Sequence, residues 1–193
     1  MILEIVKYGH PVLRQKGKPV ETITPELQQL IGDMFETMHA FKGVGLAAHQ
    51  VGQPIQLTVL DIRGVGKDRV STLELDGKPA EADEFMPLVL INPHLTPVGK
   101  TVAGGEGCLS FPEIYAEVER AESVDVIAQN QKGEPLKFRC GGLLARAIQH
   151  EADHLNGILY IDRMTREAKA EIKPELDAVQ AETKAALAKQ RKA

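Results

Sequence analysis

No segment of this sequence approaches the roughly 18 consecutive apolar residues that span a bilayer, which excludes a helical membrane protein. The opening Met1-Ile2-Leu3-Glu4-Ile5-Val6-Lys7 places a carboxylate inside its only apolar stretch and offers no small-residue cleavage site, so no secretory signal is read and the expected location is the cytoplasm. A basic excess is lacking too. The formal charge is -4, which argues against direct sequence-specific nucleic-acid binding. Cysteine occurs only twice, and in a reducing compartment such a pair is more often free or metal-binding than bridged, although the sequence alone leaves a bridge open. Internal repeats are missing. No Gly-Lys-Ser/Thr follows directly on Gly43-Val44-Gly45 to complete a phosphate loop, which leaves those glycines a weak signal for nucleotide binding.

What is present is an ordinary globular chain of 193 residues, 43% hydrophobic and 26% charged, long enough for one domain with a core plus a tail. Thr24-Pro25-Glu26 combines a capping hydroxyl, a proline at the first helical position and an early acid. Leu27, Leu30, Ile31, Met34, Met38 and Phe41 follow at helical spacing, predicting a helix to about Phe41 that Gly43 and Gly45 break. Ile55 to Ile62 and Pro87 to Asn92 read as strands. Between them, Gly64 to Phe85 is polar, with Asp76-Gly77 as a tight turn between short extended pieces, and reads as a surface insertion. Val124, Val126 and Ala128, then Leu136, Phe138 and Cys140, alternate on either side of Gln131-Lys132-Gly133 and predict a hairpin in which Cys140 is a plain buried thiol. After Pro174 the composition turns to Ala, Lys, Gln and Glu, predicting a final, largely solvated helix.

The chemistry concentrates in Gln149-His150-Glu151-Ala152-Asp153-His154. Gly142 to Asn156 fits a helix stopped by Gly157, with Leu143, Ala147, His150 and His154 on one stripe and Leu144, Ile148, Glu151 and Leu155 on the next. Residues four apart stack on one face, so two imidazoles can grip one ion while the carboxylate between them reaches its water. Two histidines at this spacing also occur by chance on ordinary helices. Here, however, the stripe is the one expected to be buried, and desolvating a carboxylate and two imidazoles without partners costs several kcal/mol, so a metal is the simplest compensation.

Cys108, in Glu106-Gly107-Cys108-Leu109-Ser110, offers a third ligand, and Gly104-Gly105-Glu106-Gly107 reads as an open, tight-turning approach to it. A buried hydrophobe is the common alternative for a free cysteine. One thiolate and two neutral imidazoles leave a tetrahedral ion one open position, the pattern of a catalytic centre, where a water's pKa falls toward about 7. Glu151 is then the proton handler, taking the water's proton and delivering it to the leaving amine. If the glycine-rich loop packs beside the ion, the Gln50 amide and the backbone N–H of Leu109 are placed to hold the oxygen of a tetrahedral intermediate.

With these segments in order, the chain resembles the peptide deformylases, which remove the N-formyl group from the initiator methionine of nascent polypeptides. The motifs Gly-x-Gly-Leu-Ala-Ala-x-Gln, Glu-Gly-Cys-Leu-Ser and Gln-His-Glu-x-Asp-His stand here at residues 43–50, 106–110 and 149–154. The likeness extends to Tyr8-Gly9-His10-Pro11-Val12-Leu13-Arg14 and to Leu155-Asn156-Gly157-Ile158-Leu159.

The resemblance implies an α+β fold, with antiparallel β-sheets around a central metal-binding helix and an additional C-terminal helix. A catalytic domain would occupy residues 1–163, and residues 164–193 would form its C-terminal helical extension. Cys108, His150 and His154 would bind one divalent ion, Fe(II) in cells and often Zn(II), Ni(II) or Co(II) in preparations. Glu151 would be the general acid and base, and Gln50 with Leu109 would bind the oxyanion. Gly45 would align the N-formyl-methionyl peptide, while Val44, Leu143 and Ala147 would wall the methionine pocket. The resemblance also implies that Glu106 pairs with Arg120 in support of the site; otherwise these are two exposed charges worth under about 1 kcal/mol. Two departures stand out. His49 occupies a position where smaller residues or proline are familiar, and Ile114-Tyr115 stands where some relatives carry an arginine near the peptide.

Two other readings compete. A metallopeptidase cleaving internal bonds shares the His-Glu-x-x-His helix, but usually takes a third His or Glu where Cys108 stands here. A ribosome-associated binding protein with a degenerate site draws on the basic end Lys184, Lys189, Arg191 and Lys192, which equally suits a solvated helix terminus.

Overall fold

The computed structural model describes residues 1–65 and 69–190. Its strands are β1 (Gly45–Ala47), β2 (Leu57–Leu60), β3 (Ser71–Leu75), β4 (Lys78–Ala80), β5 (Leu88–Cys108), β6 (Phe111–Gln129) and β7 (Pro135–Gly141). They join into one seven-stranded sheet in the order β1-β2-β5-β6-β7-β3-β4, with every pairing antiparallel. The helices are α1 (Pro25–Ala40), α2 (Gly142–Leu155), α3 (Arg166–Glu171) and α4 (Lys173–Gln190). This is the expected α+β class with a C-terminal helix. Among the described residues no helix is long and apolar enough to cross a membrane.

Side-chain alternation explains how the layers form. Leu57 and Val59 of β2, with Val89 and Ile91 of β5, face Leu27, Ile31, Met34 and Met38 of α1. Leu60, Leu88 and Leu90 point the other way, onto Leu144 and Ile148 of α2. Both faces are therefore buried, which is why Leu88–Ile91 is a continuous apolar run. The side chain of Thr24 caps α1 by accepting from Leu27 N at 3.2 Å. Phe41 departs from expectation: it follows the last helical residue and is 48% exposed, outside the buried stripe.

The β6–β7 hairpin has the expected register, Val124 opposite Cys140 and Val126 opposite Phe138, with Cys140 buried. The segment from Gly64 to Phe85, expected as a surface insertion, is instead structural in part. Its strand β3 pairs with β7, Leu73 enters the core, and Asp76-Gly77 turns the β3–β4 hairpin with both φ positive. It also caps the helix of interest: Ser71 Oγ accepts from Leu144 N at 3.1 Å and the Val70 carbonyl accepts from Leu143 N at 3.1 Å.

Two further corrections concern extent. The strand expected over Pro87 to Asn92 runs on to Cys108, and Gly104 to Gly107 lie extended within it, opposite Val118 to Tyr115, rather than in a turn. The C-terminal segment forms two helices rather than one; α4 is largely solvated as expected, and docks through one buried residue. Leu176 is buried with Val12, Leu13, Phe111 and Tyr160, and Val179 packs against the same cluster. Arg191 and Lys192 of the basic end lie outside the described residues.

Candidate metal centre

α2 carries His150, Glu151 and His154 into the interior, at 8%, 5% and 1% exposure. Helical spacing brings the two imidazoles to 5.0 Å between ring centroids. Cys108, the last residue of β5, reaches the same point from the sheet. The ligand-capable atoms of Cys108, His150 and His154 all lie within 4.8 Å of one another, the three residues that sequence reasoning grouped. Cys108 Sγ and His154 Nε2 are 3.4 Å apart. Bonds of about 2.3 Å to sulfur and 2.0 Å to nitrogen at a tetrahedral angle would put these atoms about 3.5 Å apart, so the donor set fits a divalent ion.

The second nitrogen of His150 is fixed by Glu106. Nδ1 donates to Glu106 Oε2 at 2.8 Å, which leaves Nε2 as the free donor toward the cluster. Burial opposes ionisation of Glu106, but hydrogen bonds from His150 and Arg120 prevail and hold its carboxyl down at about 2. Arg120 grips it through Nε at 2.6 Å and Nη2 at 3.0 Å, and both side chains are buried, not the two exposed charges that the bare sequence allows. Arg146 Nη1 adds a contact at 2.9 Å, while Arg120 Nη1 continues to Asp153, which also receives Arg163.

These groups set the potential at the cluster. Burial lowers the affinity of His150 for a proton, yet hydrogen bonds to Cys108 and Glu106 outweigh it and raise the imidazole to about 10. His154 is held well below its ordinary value, by burial first and by His150 next, so its ring is neutral as a ligand must be. Burial pushes Glu151 up to about 7, with His150 and Arg120 partly offsetting it. One of its oxygens, Oε2, is buried without a partner among the described residues.

Gln50 stands on a short 3-10 turn, Ala48–Val51, directly after β1. Its Oε1 accepts from Ala47 N at 2.9 Å, which turns Nε2 toward Cys108 Sγ at 3.5 Å and Ser110 Oγ at 3.4 Å. Leu109 sits in the tight β5–β6 turn, where its carbonyl receives Lys7 Nζ at 2.8 Å. Gly45, in β1, is required by close approach: a Cβ there would meet Glu151 Oε1 at 2.5 Å. Val44, Leu143 and Ala147 all belong to or pack on the cluster beneath α2.

Sequence reasoning missed Arg146, Asp153, Lys7 and the orientation of His49. A signal for Arg146 existed in Gly104, where a Cβ would come within 2.8 Å of the Arg146 guanidinium carbon. Asp153 sits inside the His150–His154 motif, one residue before a histidine. Lys7 and His49 carried no comparable signal.

Comparison with known proteins agrees with this geometry. The family model described as polypeptide deformylase matches residues 2–170. A peptide deformylase of Methylacidiphilum infernorum is 46% identical over 179 residues, covering 93% of each chain. One from Opitutus terrae is 44% identical over 188 residues, covering 96% of this chain and 97% of its own. Among solved structures, a single-site mutant of Arabidopsis thaliana peptide deformylase 1B superposes with TM-score 0.82 at 37% identity, covering 96% of this chain and 94% of that one. A Legionella pneumophila peptide deformylase gives 0.78 at 37% identity, covering 92% and 95%. Identity at this level across nearly the full length, on the same fold, means that the chain belongs to the polypeptide deformylase family.

Proposed function

We propose that this chain hydrolyses the formamide of N-formyl-methionyl peptides, releasing formate and a free amino terminus, at a centre built by Cys108, His150 and His154. The observation that carries the reading is the convergence of that sulfur and two ring nitrogens beside the buried carboxylate of Glu151. A divalent ion held by this set would supply Lewis acidity to the formyl carbonyl and to the attacking water.

The remaining steps belong to the chain. Glu151 takes a proton from the attacking water and gives it to the peptide nitrogen as the C–N bond breaks. Its value near 7 suits both directions of transfer. Gln50 Nε2, directed toward the cluster by the Ala47 contact, and the Leu109 N–H are assigned to the oxygen that gains charge. The Gly45 backbone aligns the peptide, with Val44, Leu143 and Ala147 around the methionine side chain; their common apolar cluster supports that assignment. We read residues 1–163 as the catalytic unit and 164–193 as its extension. The exposed lysines of α4, Lys184 and Lys189, support ribosome docking by that helix.

Fe(II) is the ion assigned in cells, on the family resemblance; the donor set itself also suits Zn(II), Ni(II) and Co(II). The test is anaerobic purification with elemental analysis, beside formate release from formyl-Met-Ala and amine release from an unblocked peptide. One equivalent of metal with formate release is expected; cleavage of the unblocked peptide alone would replace this reading with a peptidase.

A further inference from the structure

Among the described residues two ring nitrogens in the protein interior have no protein partner, His49 Nδ1 and His154 Nδ1, and their chemistry is complementary. His49 is fully buried on the 3-10 turn that packs against α2, and its Nε2 lies 3.0 Å from the Gln15 carbonyl. A carbonyl only accepts, so the His49 proton is on Nε2, and burial keeps the ring neutral. Nδ1 of His49 is therefore an acceptor. His154 presents Nε2 to Cys108 at 3.4 Å, so as a ligand it must carry its proton on Nδ1, a donor.

One stretch of chain links the His49 ring to the backbone next to His154. The His49 ring lies against Gly17, where an added Cβ would meet its Cε1 at 2.8 Å, and Gly17 N donates to the carbonyl of Leu155, the neighbour of His154, at 2.9 Å. A buried donor and a buried acceptor on two elements packed against each other, each unpaired among the described residues, call for a shared partner, since an orphaned polar group inside a protein is costly.

We propose that His49 is a positioning residue for His154: its Nδ1 accepts, through one buried water, the Nδ1–H of the metal ligand. The relay runs from the Gln15 carbonyl through His49 and the water to His154, and it locks the ring in the tautomer that frees Nε2. Glu106 does the same for His150 directly. The inference rests on the metal-centre reading above and adds to it the group that orients the third ligand.

Two substitutions separate this role from simple packing. Asparagine places a polar atom near the position of Nδ1 and loses the Gln15 contact; glutamine places one near Nε2, keeps the Gln15 contact and loses the acceptor. Zn(II) affinity is read by competition with a chromophoric chelator, with thermal melts of the metal-free proteins alongside. His49→Gln should weaken Zn(II) roughly 10- to 100-fold, while His49→Asn stays within about threefold of the parent. Equal affinity in parent and His49→Gln, or the reverse order of the two variants, would overturn the proposal. Tautomers in the zinc-loaded parent give an answer that needs no variant: long-range 1H–15N spectra should show His49 protonated on Nε2 and His154 on Nδ1. A His49 proton on Nδ1 would set two donors against each other and end the argument. The underlying reading fails separately, if His154→Ala binds Zn(II) as tightly as the parent.

Discussion

Glu106 and His150 form the contact on which the centre turns: a buried carboxylate accepts the Nδ1–H of a buried imidazole at 2.8 Å. The same carboxylate is held by Arg120 and Arg146. Glu106→Ala would therefore strand two guanidinium groups and free the His150 ring in one step. The expected cost is about 3–5 kcal/mol of stability, from breaking a buried ion pair on one side. A loss of roughly 10- to 100-fold in metal affinity should accompany it. Urea unfolding and chelator competition measure the two effects, and unchanged affinity would remove Glu106 from the centre.

The same residue sets an acid limit. The Glu106 carboxyl sits at about 2 in the folded protein against an ordinary value of 4.5. Because the folded value is the lower one, its stabilisation is complete above about pH 4.5 and is lost as pH falls toward 2. The difference corresponds to about 3 kcal/mol at neutral pH. Urea midpoints of metal-free parent and Glu106→Gln should thus converge between pH 4.5 and pH 2. A constant gap across that window would place the stabilisation elsewhere.

Glu151→Gln keeps the shape of the side chain and removes its proton transfer. Metal content should stay at the parental level while turnover of formyl-Met-Ala falls by about 10²- to 10⁴-fold. Gly45→Ala approaches the same group from the backbone side, since the new methyl would lie 2.5 Å from Glu151 Oε1. Turnover should drop by at least about tenfold with metal retained, and elemental analysis beside formate release checks both variants. Parental activity in Glu151→Gln would eliminate the assigned proton role.

The centre was legible in the sequence because its chemistry is mostly local. His150 and His154 share one helical stripe with Glu151 on the adjacent one, and Cys108 stands out as one of two cysteines. Of its support only the Glu106–Arg120 pair was in reach, through the resemblance; Arg146 and Asp153 look like any solvated helix charges until the sheet closes over them. The long strand β5 was missed for a related reason. From Pro93 to Gly105 no residue is fully buried, so no apolar alternation marks the strand, and its pairing with β6 is visible only in the fold. Glycines at 104 and 107 read as a turn, but what they supply is room for Arg146 and Tyr115 beside an extended chain.

The two thiols should separate chemically. Burial pushes Cys140 up to about 12, so it is inert toward thiol reagents near neutral pH. Cys108 is only partly buried. In chelator-treated protein, Ellman titration at pH 8 should find one reactive thiol, and two once the chain is unfolded. Metal added back should protect the first. Failure of metal to protect would separate Cys108 from the ion.

The C-terminal helix divides into a docked half and a free half, and two changes should tell them apart. Leu176 is buried against Phe111 and Tyr160, whereas Lys184 to Gln190 expose every residue except Leu187. Leu176→Ala deletes packing that the cluster cannot recover and should cost about 2–5 kcal/mol, read as a lower urea midpoint. Truncation before Lys184 removes no buried side chain among the described residues and should leave both the midpoint and formate release near the parental values. The truncated chain then isolates the lysines: weaker co-sedimentation with ribosomes at unchanged turnover would assign docking to the free half, and unchanged co-sedimentation would withdraw that role from α4.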